Sequence, residues 1–199
     1  MAPRLLVLTD RSQLPPGRSL VEQVSRCVDA DARWVLLRER ALPTPERTRL
    51  ASELARLLHP VGGRLLVAAP DLGPGADGLH LRATDPPWTG RPLVVGRSVH
   101  DEAELRAAVA QGCDYVTLSP YAATASKPGY GPALGPAGLR RVLDAAPPDG
   151  TRVLALGGIS PRNAAEAVAA GAHGVAVMGE VMRAGDPGSV IRDLLAALG

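Results

Sequence analysis

The chain has 199 residues, 46% of them apolar, and a formal net charge of +2, enough for one substantial core and a single domain over 1–199. No apolar run approaches the roughly 18 residues of a membrane span, and the start from Met1 to Asp10 turns polar too soon for a signal peptide, so a cytoplasmic protein with no membrane partner is expected. Charge is spread without a basic block, and aromatics make only 3% of the chain, which argues against a nucleic-acid partner. Cys27 and Cys113 lack any metal or redox spacing and read as packed thiols. Of the 22 basic residues only Lys127 is lysine, a skew that fits a GC-rich coding sequence and singles that residue out.

From the N-terminus, short apolar runs alternate with longer amphipathic stretches. Strands are predicted over 5–9, 34–38, 64–68, 78–81, 93–98, 115–118, 153–156 and 174–177. Helices are predicted over 20–28, 45–58, 102–111, 136–145, 161–170 and 189–198. The segments 69–77 and 82–92, on either side of the fourth strand, are rich in Pro and Gly and too short for full helices. Ser160-Pro161 and Asp186-Pro187 read as helix starts, and Gly112 and Gly171 as helix stops. Strands that alternate with helices need parallel crossovers, so eight such units predict a small α/β (β/α)8 TIM barrel with shortened crossovers around strand 4. An open doubly wound sheet is the alternative.

In such a barrel, reactive groups gather where strands end. Strand 2 runs into Arg38-Glu39-Arg40, strand 4 ends near His80 and leads to Asp85, and strand 5 ends at Ser98-Val99-His100. Strand 6 opens into a long loop with Thr124, Ser126 and Lys127. Gly157 and Gly158 follow strand 7, and Met178 and Gly179 follow strand 8, where this fold recurrently binds phosphate through backbone N–H groups. Gly157-Gly158 has a plain reading as a turn, and His80 as a hydrogen-bonded core residue. Arg38 and Arg40, two apart on a strand, are expected to point the same way and clamp an anion, or else to pair with Glu39 or Asp85.

The ordered motifs resemble the thiamine phosphate synthase/TenI family over nearly the whole chain. They are Leu37-Arg38-Glu39-Arg40, Gly78-Leu79-His80-Leu81 with Asp85, Gly96-Arg97-Ser98-Val99-His100, Asp114-Tyr115-Val116 with Thr124-Ala125-Ser126-Lys127, Leu156-Gly157-Gly158-Ile159, and Gly174 through Gly179. The resemblance implies a thiazole phosphate held by Thr124, Ser126, Gly157, Gly158, Met178 and Gly179. In a synthase, Arg38, Arg40, Ser98 and Lys127 would face a pyrophosphate and Asp85 would bind Mg2+. The family's Gln stands at Leu36 here, its Lys at Arg40, and its metal-binding Asn-Asp pair at Ala68-Ala69. That departure shifts the expectation to a TenI-like thiazole tautomerase, with His80, His100 or Lys127 as acid/base and no cofactor, although the TenI histidine falls at Pro120. The alternatives are a thiamine phosphate synthase using Mg2+, and a non-catalytic regulator that binds thiazole or thiamine phosphate. In each case the partner is a small phosphorylated thiazole ligand, and a homo-oligomer is compatible with the sequence.

Overall fold

A computed structural model describes residues 3–70, 72–90, 94–124 and 132–199. The apolar runs form β1 (Leu5–Leu8), β2 (Trp34–Leu37), β3 (Arg64–Ala68), β4 (Gly78–Leu81), β5 (Val94–Val99), β6 (Tyr115–Leu118), β7 (Arg152–Leu156) and β8 (Gly174–Val177). All pair in parallel in chain order, and β8 pairs back to β1, so the sheet closes into the expected barrel. The helices are α1 (Leu20–Asp29), α2 (Thr44–Leu58), α3 (Glu102–Ala110), α4 (Gly135–Ala145), α5 (Pro161–Ala169), a one-turn α6 (Gly179–Met182) and α7 (Pro187–Leu198). Among the described residues no helix separates β3 from β4 or β4 from β5, as their Pro- and Gly-rich crossovers predict.

Local chemistry sets the helix ends. The Asp101 side chain accepts from Glu104 N at 2.8 Å at the start of α3, and Pro161 and Pro187 occupy the first turns of α5 and α7. Gly112 and Gly171 follow α3 and α5 at φ +70° and +111°, which glycine adopts without a Cβ clash.

Alternate residues of each strand face opposite ways and build two apolar layers. Leu6, Leu8, Trp34, Leu36, Leu66, Tyr115, Leu154 and Ala176 fill the barrel. Val7, Val35, Leu37, Leu65, Val67, Leu79 and Val175 pack outward against Val24, Leu54, Leu105, Leu139 and Ile191 of the helices. Each fully buried leucine stabilises the fold by about 1.5–3 kcal/mol. Gly96 gives room to the Tyr115 ring, which occupies the space a Cβ there would need. The inward series continues upward through His80, Ser98 and Met178 to the mouth.

Four strand ends differ by one residue from expectation: β5 runs on to Val99, β7 begins at Arg152, and two strands stop early. β1 stops at Leu8 and β2 at Leu37, because the Thr9 hydroxyl accepts the Arg38 N–H at 3.0 Å and the chain then turns, with Arg40 N bonded to Arg38 O at 2.7 Å. Strand alternation therefore does not relate Arg38 to Arg40; this turn brings both to the mouth. Predicted strand residue Leu93 lies outside the described residues.

Candidate active site

The C-terminal ends of the strands surround a cleft of about 910 Å³. Arg38, Arg40, His80, Ser98, His100, Thr124, Gly157, Gly158, Met178 and Gly179 all line it, so the structure brings together most of the residues singled out in the sequence. Ser126 and Lys127 lie outside the described residues. Asp85 is not among the lining residues.

Backbone builds one side of the cleft. Gly157 and Gly158 have φ of +96° and +64°, in the region that L side chains rarely adopt. A Cβ on Gly158 would lie 2.5 Å from the Ala123 carbonyl oxygen, so this turn is closed to other residues. Two bonds, Tyr121 N to Leu156 O at 2.8 Å and Ala122 N to Gly157 O at 2.9 Å, zip the loop after β6 to the loop after β7. Asn163, the chain's only asparagine, accepts Ser160 N at 2.8 Å and donates to Gly158 O at 3.0 Å, fixing the glycine peptides from below. Across the cleft floor, Gly179 opens α6, and the Arg183 side chain lies against it and bonds the Gln13 side chain. A phosphate meeting this side finds glycine peptides, with the Arg183 side chain against Gly179 and Arg162 also lining the cleft.

The centre is polar and neutral. His80 is 3% exposed, with Nδ1 at 2.9 Å from Tyr115 Oη and Nε2 at 2.9 Å from Ser98 Oγ. Burial first, then the charges of Arg40, Arg38 and Arg97, push its pKa down to about 3, so the imidazole stays uncharged near neutral pH. The plain reading of His80 as a hydrogen-bonded core residue holds, although its ring also reaches the cleft. His100 contacts the Ser119 carbonyl oxygen through Nδ1 at 2.9 Å; a carbonyl only accepts, so that nitrogen carries hydrogen.

Side chains build the opposite side. Arg38 and Arg40 project from the turn after β2, and Arg82, which the sequence reading did not single out, projects from the loop after β4. Asp85 closes that loop on itself: its Oδ2 accepts Arg82 N at 2.7 Å. Beneath it, Arg97 is 3% exposed and donates to the carbonyls of Arg82 at 2.8 Å, Ala83 at 3.2 Å, Asp85 at 2.8 Å and Pro86 at 3.2 Å. A charged residue inside the apolar β5 sequence was the available signal for this role. Glu39 turns away from the cleft arginines and accepts Arg11 N at 3.0 Å.

The donor set fits a magnesium ion poorly. Magnesium takes hard oxygen ligands in a near-octahedral shell, usually through one or two carboxylates and the substrate's phosphates. Ala68 ends β3 and Ala69 follows it, both with only methyl side chains, Arg40 Nη1 reaches toward the Ala69 carbonyl at 3.5 Å, and Asp85 spends one carboxylate oxygen on its own loop. Among the described residues no group of three His, Cys, Asp or Glu side chains converges anywhere.

The family model described as thiamine monophosphate synthase (TMP-TENI) matches residues 5–181. The chain belongs to this family. A putative thiamine-phosphate synthase of Geobacter sulfurreducens is 37% identical over 98% of this chain and 93% of its own length. The thiamine-phosphate synthase of Methanoculleus marisnigri is 35% identical over 96% of this chain and 92% of its own. Among solved structures, thiamine phosphate pyrophosphorylase from Pyrococcus furiosus superposes with a TM-score of 0.84 at 27% identity, covering 98% of this chain and 95% of that one.

These relatives overturn the expectation that a tautomerase is the favoured enzyme. Relatives at 31–37% identity over most of the chain are named as thiamine-phosphate synthases. The loss of one Asn-Asp pair at Ala68-Ala69 is too narrow a basis for assigning a different reaction. Membership in a thiamine-biosynthetic family stands, and no helix among the described residues is long and apolar enough to cross a membrane.

Proposed function

We propose that the chain joins a thiazole phosphate to a hydroxymethylpyrimidine diphosphate, forming thiamine phosphate and releasing pyrophosphate. The observation that carries this reading is one cleft with two anion-facing sides, glycine peptides on one and arginines on the other, which suits two phosphorylated substrates held face to face. The names of its relatives support the same reaction.

In this reading Thr124, Ser126, Gly157, Gly158, Met178 and Gly179 hold the thiazole phosphate. Arg38, Arg40, Ser98 and Lys127 face the diphosphate. The ring nitrogen of the thiazole forms a bond to the pyrimidine methylene carbon, and that carbon's bond to the diphosphate oxygen breaks, its electron pair leaving with pyrophosphate. The ring nitrogen carries no proton to remove, so neutral His80 orients Ser98 and His100 shapes the wall. Catalysis then rests on proximity of the two substrates and on fixed positive charge where negative charge grows. Magnesium, which the family resemblance attaches to a synthase, would meet alanine methyls at Ala68 and Ala69 and no group of three ligating side chains among the described residues, and the charges invoked are the chain's own.

The test is incubation of the chain with thiazole phosphate and the pyrimidine diphosphate, with and without magnesium, followed by chromatography. Thiamine phosphate and pyrophosphate should appear in equal amounts. No product in either condition overturns the proposal.

A further inference from the structure

The cleft as a whole carries more positive charge than its lining carboxylates balance. Among the described lining residues, Arg38, Arg40, Arg82, Arg162 and Arg183 face only Glu104 and Glu180. Arg40 is half-buried, and its pKa is lowered first by that burial and next by repulsion from Arg82, with Arg38 and Arg47 adding to it and Asp85 opposing. Like charges gathered in a partly dry cleft raise the energy of the empty site. An anion with several charges relieves that repulsion when it binds.

We propose that Arg40 and Arg82 grip the diphosphate of the pyrimidine substrate directly, in the place of a divalent cation, so that this chain recognises diphosphate without magnesium. The inference rests on the synthase reading and assigns a specific pair of residues within it. Three observations point the same way. The end of β3 offers the methyl groups of Ala68 and Ala69, and the Arg40 guanidinium occupies the approach to the Ala69 carbonyl. Asp85 is bonded to the Arg82 backbone N–H, which directs it into its loop and leaves Arg82 as the charged residue that this loop sets beside Ala83 and Thr84 in the cleft lining. The buried Arg97 then fixes the loop by its carbonyls, so Arg82 projects from a held backbone. A guanidinium is permanently charged and presents paired N–H groups that match phosphate oxygens, so two of them supply the charge and the fork geometry that a metal would.

The test is calorimetric titration of the full chain with inorganic pyrophosphate, in excess EDTA and again in millimolar magnesium. Binding in EDTA should be within about threefold of that in magnesium, and Arg82→Ala should weaken the EDTA value about tenfold or more, with Arg82→Lys between the two. Arg82 is exposed, so its variants are expected to fold, and their circular dichroism melts check this. Binding that needs magnesium, or that Arg82→Ala leaves unchanged, overturns the proposal. The product assay separates the two readings. A chain that binds pyrophosphate in EDTA through Arg82 but never makes thiamine phosphate keeps this charge assignment and loses the synthase. A chain that makes thiamine phosphate yet binds pyrophosphate only with magnesium keeps the synthase and loses this inference.

Discussion

On one side of the cleft, Gly157, Gly158 and Gly179 offer peptide groups whose directions are set by φ and by bonds to neighbouring loops; on the other, Arg38, Arg40 and Arg82 offer charges at the ends of long side chains. The backbone side is rigid and sequence-intolerant, because a glycine in the left-handed region has no substitute there. The arginine side is adjustable, because charge can be redistributed among neighbouring positions without disturbing the barrel.

The sharpest way to break the comparison is Gly158→Ala. Positive φ and the Ala123 carbonyl oxygen at 2.5 Å from the new Cβ force the loop to shift. A displacement of about 1 Å costs on the order of 100-fold in turnover, read as a fall in kcat/KM with thiazole phosphate. An unchanged rate would mean that the glycine peptides do not face substrate.

Next in size is Arg97→Met, which removes four bonds to the carbonyls of loop 82–86. Hydrogen bonds from charged groups contribute about 1.5–3 kcal/mol, so denaturant unfolding should show a loss of about 2 kcal/mol. KM for the diphosphate substrate should rise while KM for thiazole phosphate stays put. Arg97→Lys should restore part of the stability. Equal changes in both KM values would place Arg97 outside the positioning of the arginine side.

A smaller effect is expected from acid. His80 is held neutral with a pKa near 3, below its ordinary value of about 6.5. The unfolded chain therefore takes up a proton between those values that the folded chain refuses. The stability linked to His80 is fully present above pH ~6.5 and is lost as pH falls toward 3. Unfolding measured from pH 7 to 4 should show a shallower decline for His80→Gln than for the parent. Identical slopes would mean that the imidazole is not desolvated as the structure has it. The smallest change is Thr124→Val, which deletes one hydroxyl at the glycine side and should raise KM for thiazole phosphate about fivefold, the worth of one hydrogen bond.

Periodicity makes the barrel legible, since every predicted strand and helix has its counterpart and only the ends shift. Those shifts have local causes, such as the Thr9 hydroxyl that captures Arg38 N and ends β2 one residue early. The glycine side is equally legible, because a Gly pair after one strand and a Gly after the next is a backbone feature written directly in residue type. The arginine side is less so. In a chain with 22 basic residues and one lysine, an arginine near a strand end carries little information, and Arg82 passes unnoticed beside His80 and Asp85. Asp85 reads from sequence as the metal ligand of a synthase, and only the folded loop shows that its Oδ2 also accepts Arg82 N. Asn163 stands out as the only asparagine, yet only the folded turn shows it holding Gly158.

The hydrogen-bonded row from Tyr115 through His80 to Ser98 has a consequence for selectivity. Both end groups are hydroxyls, so the neutral imidazole accepts either of its two hydrogen placements. With hydrogen on Nδ1, Ser98 donates to the ring and turns lone pairs toward the cleft; with hydrogen on Nε2, Ser98 accepts and turns its hydrogen outward. Reversing the row moves no net charge. Ser98 thus has two faces of opposite polarity at constant pH, able to meet an acceptor or a donor of a molecule in the cleft.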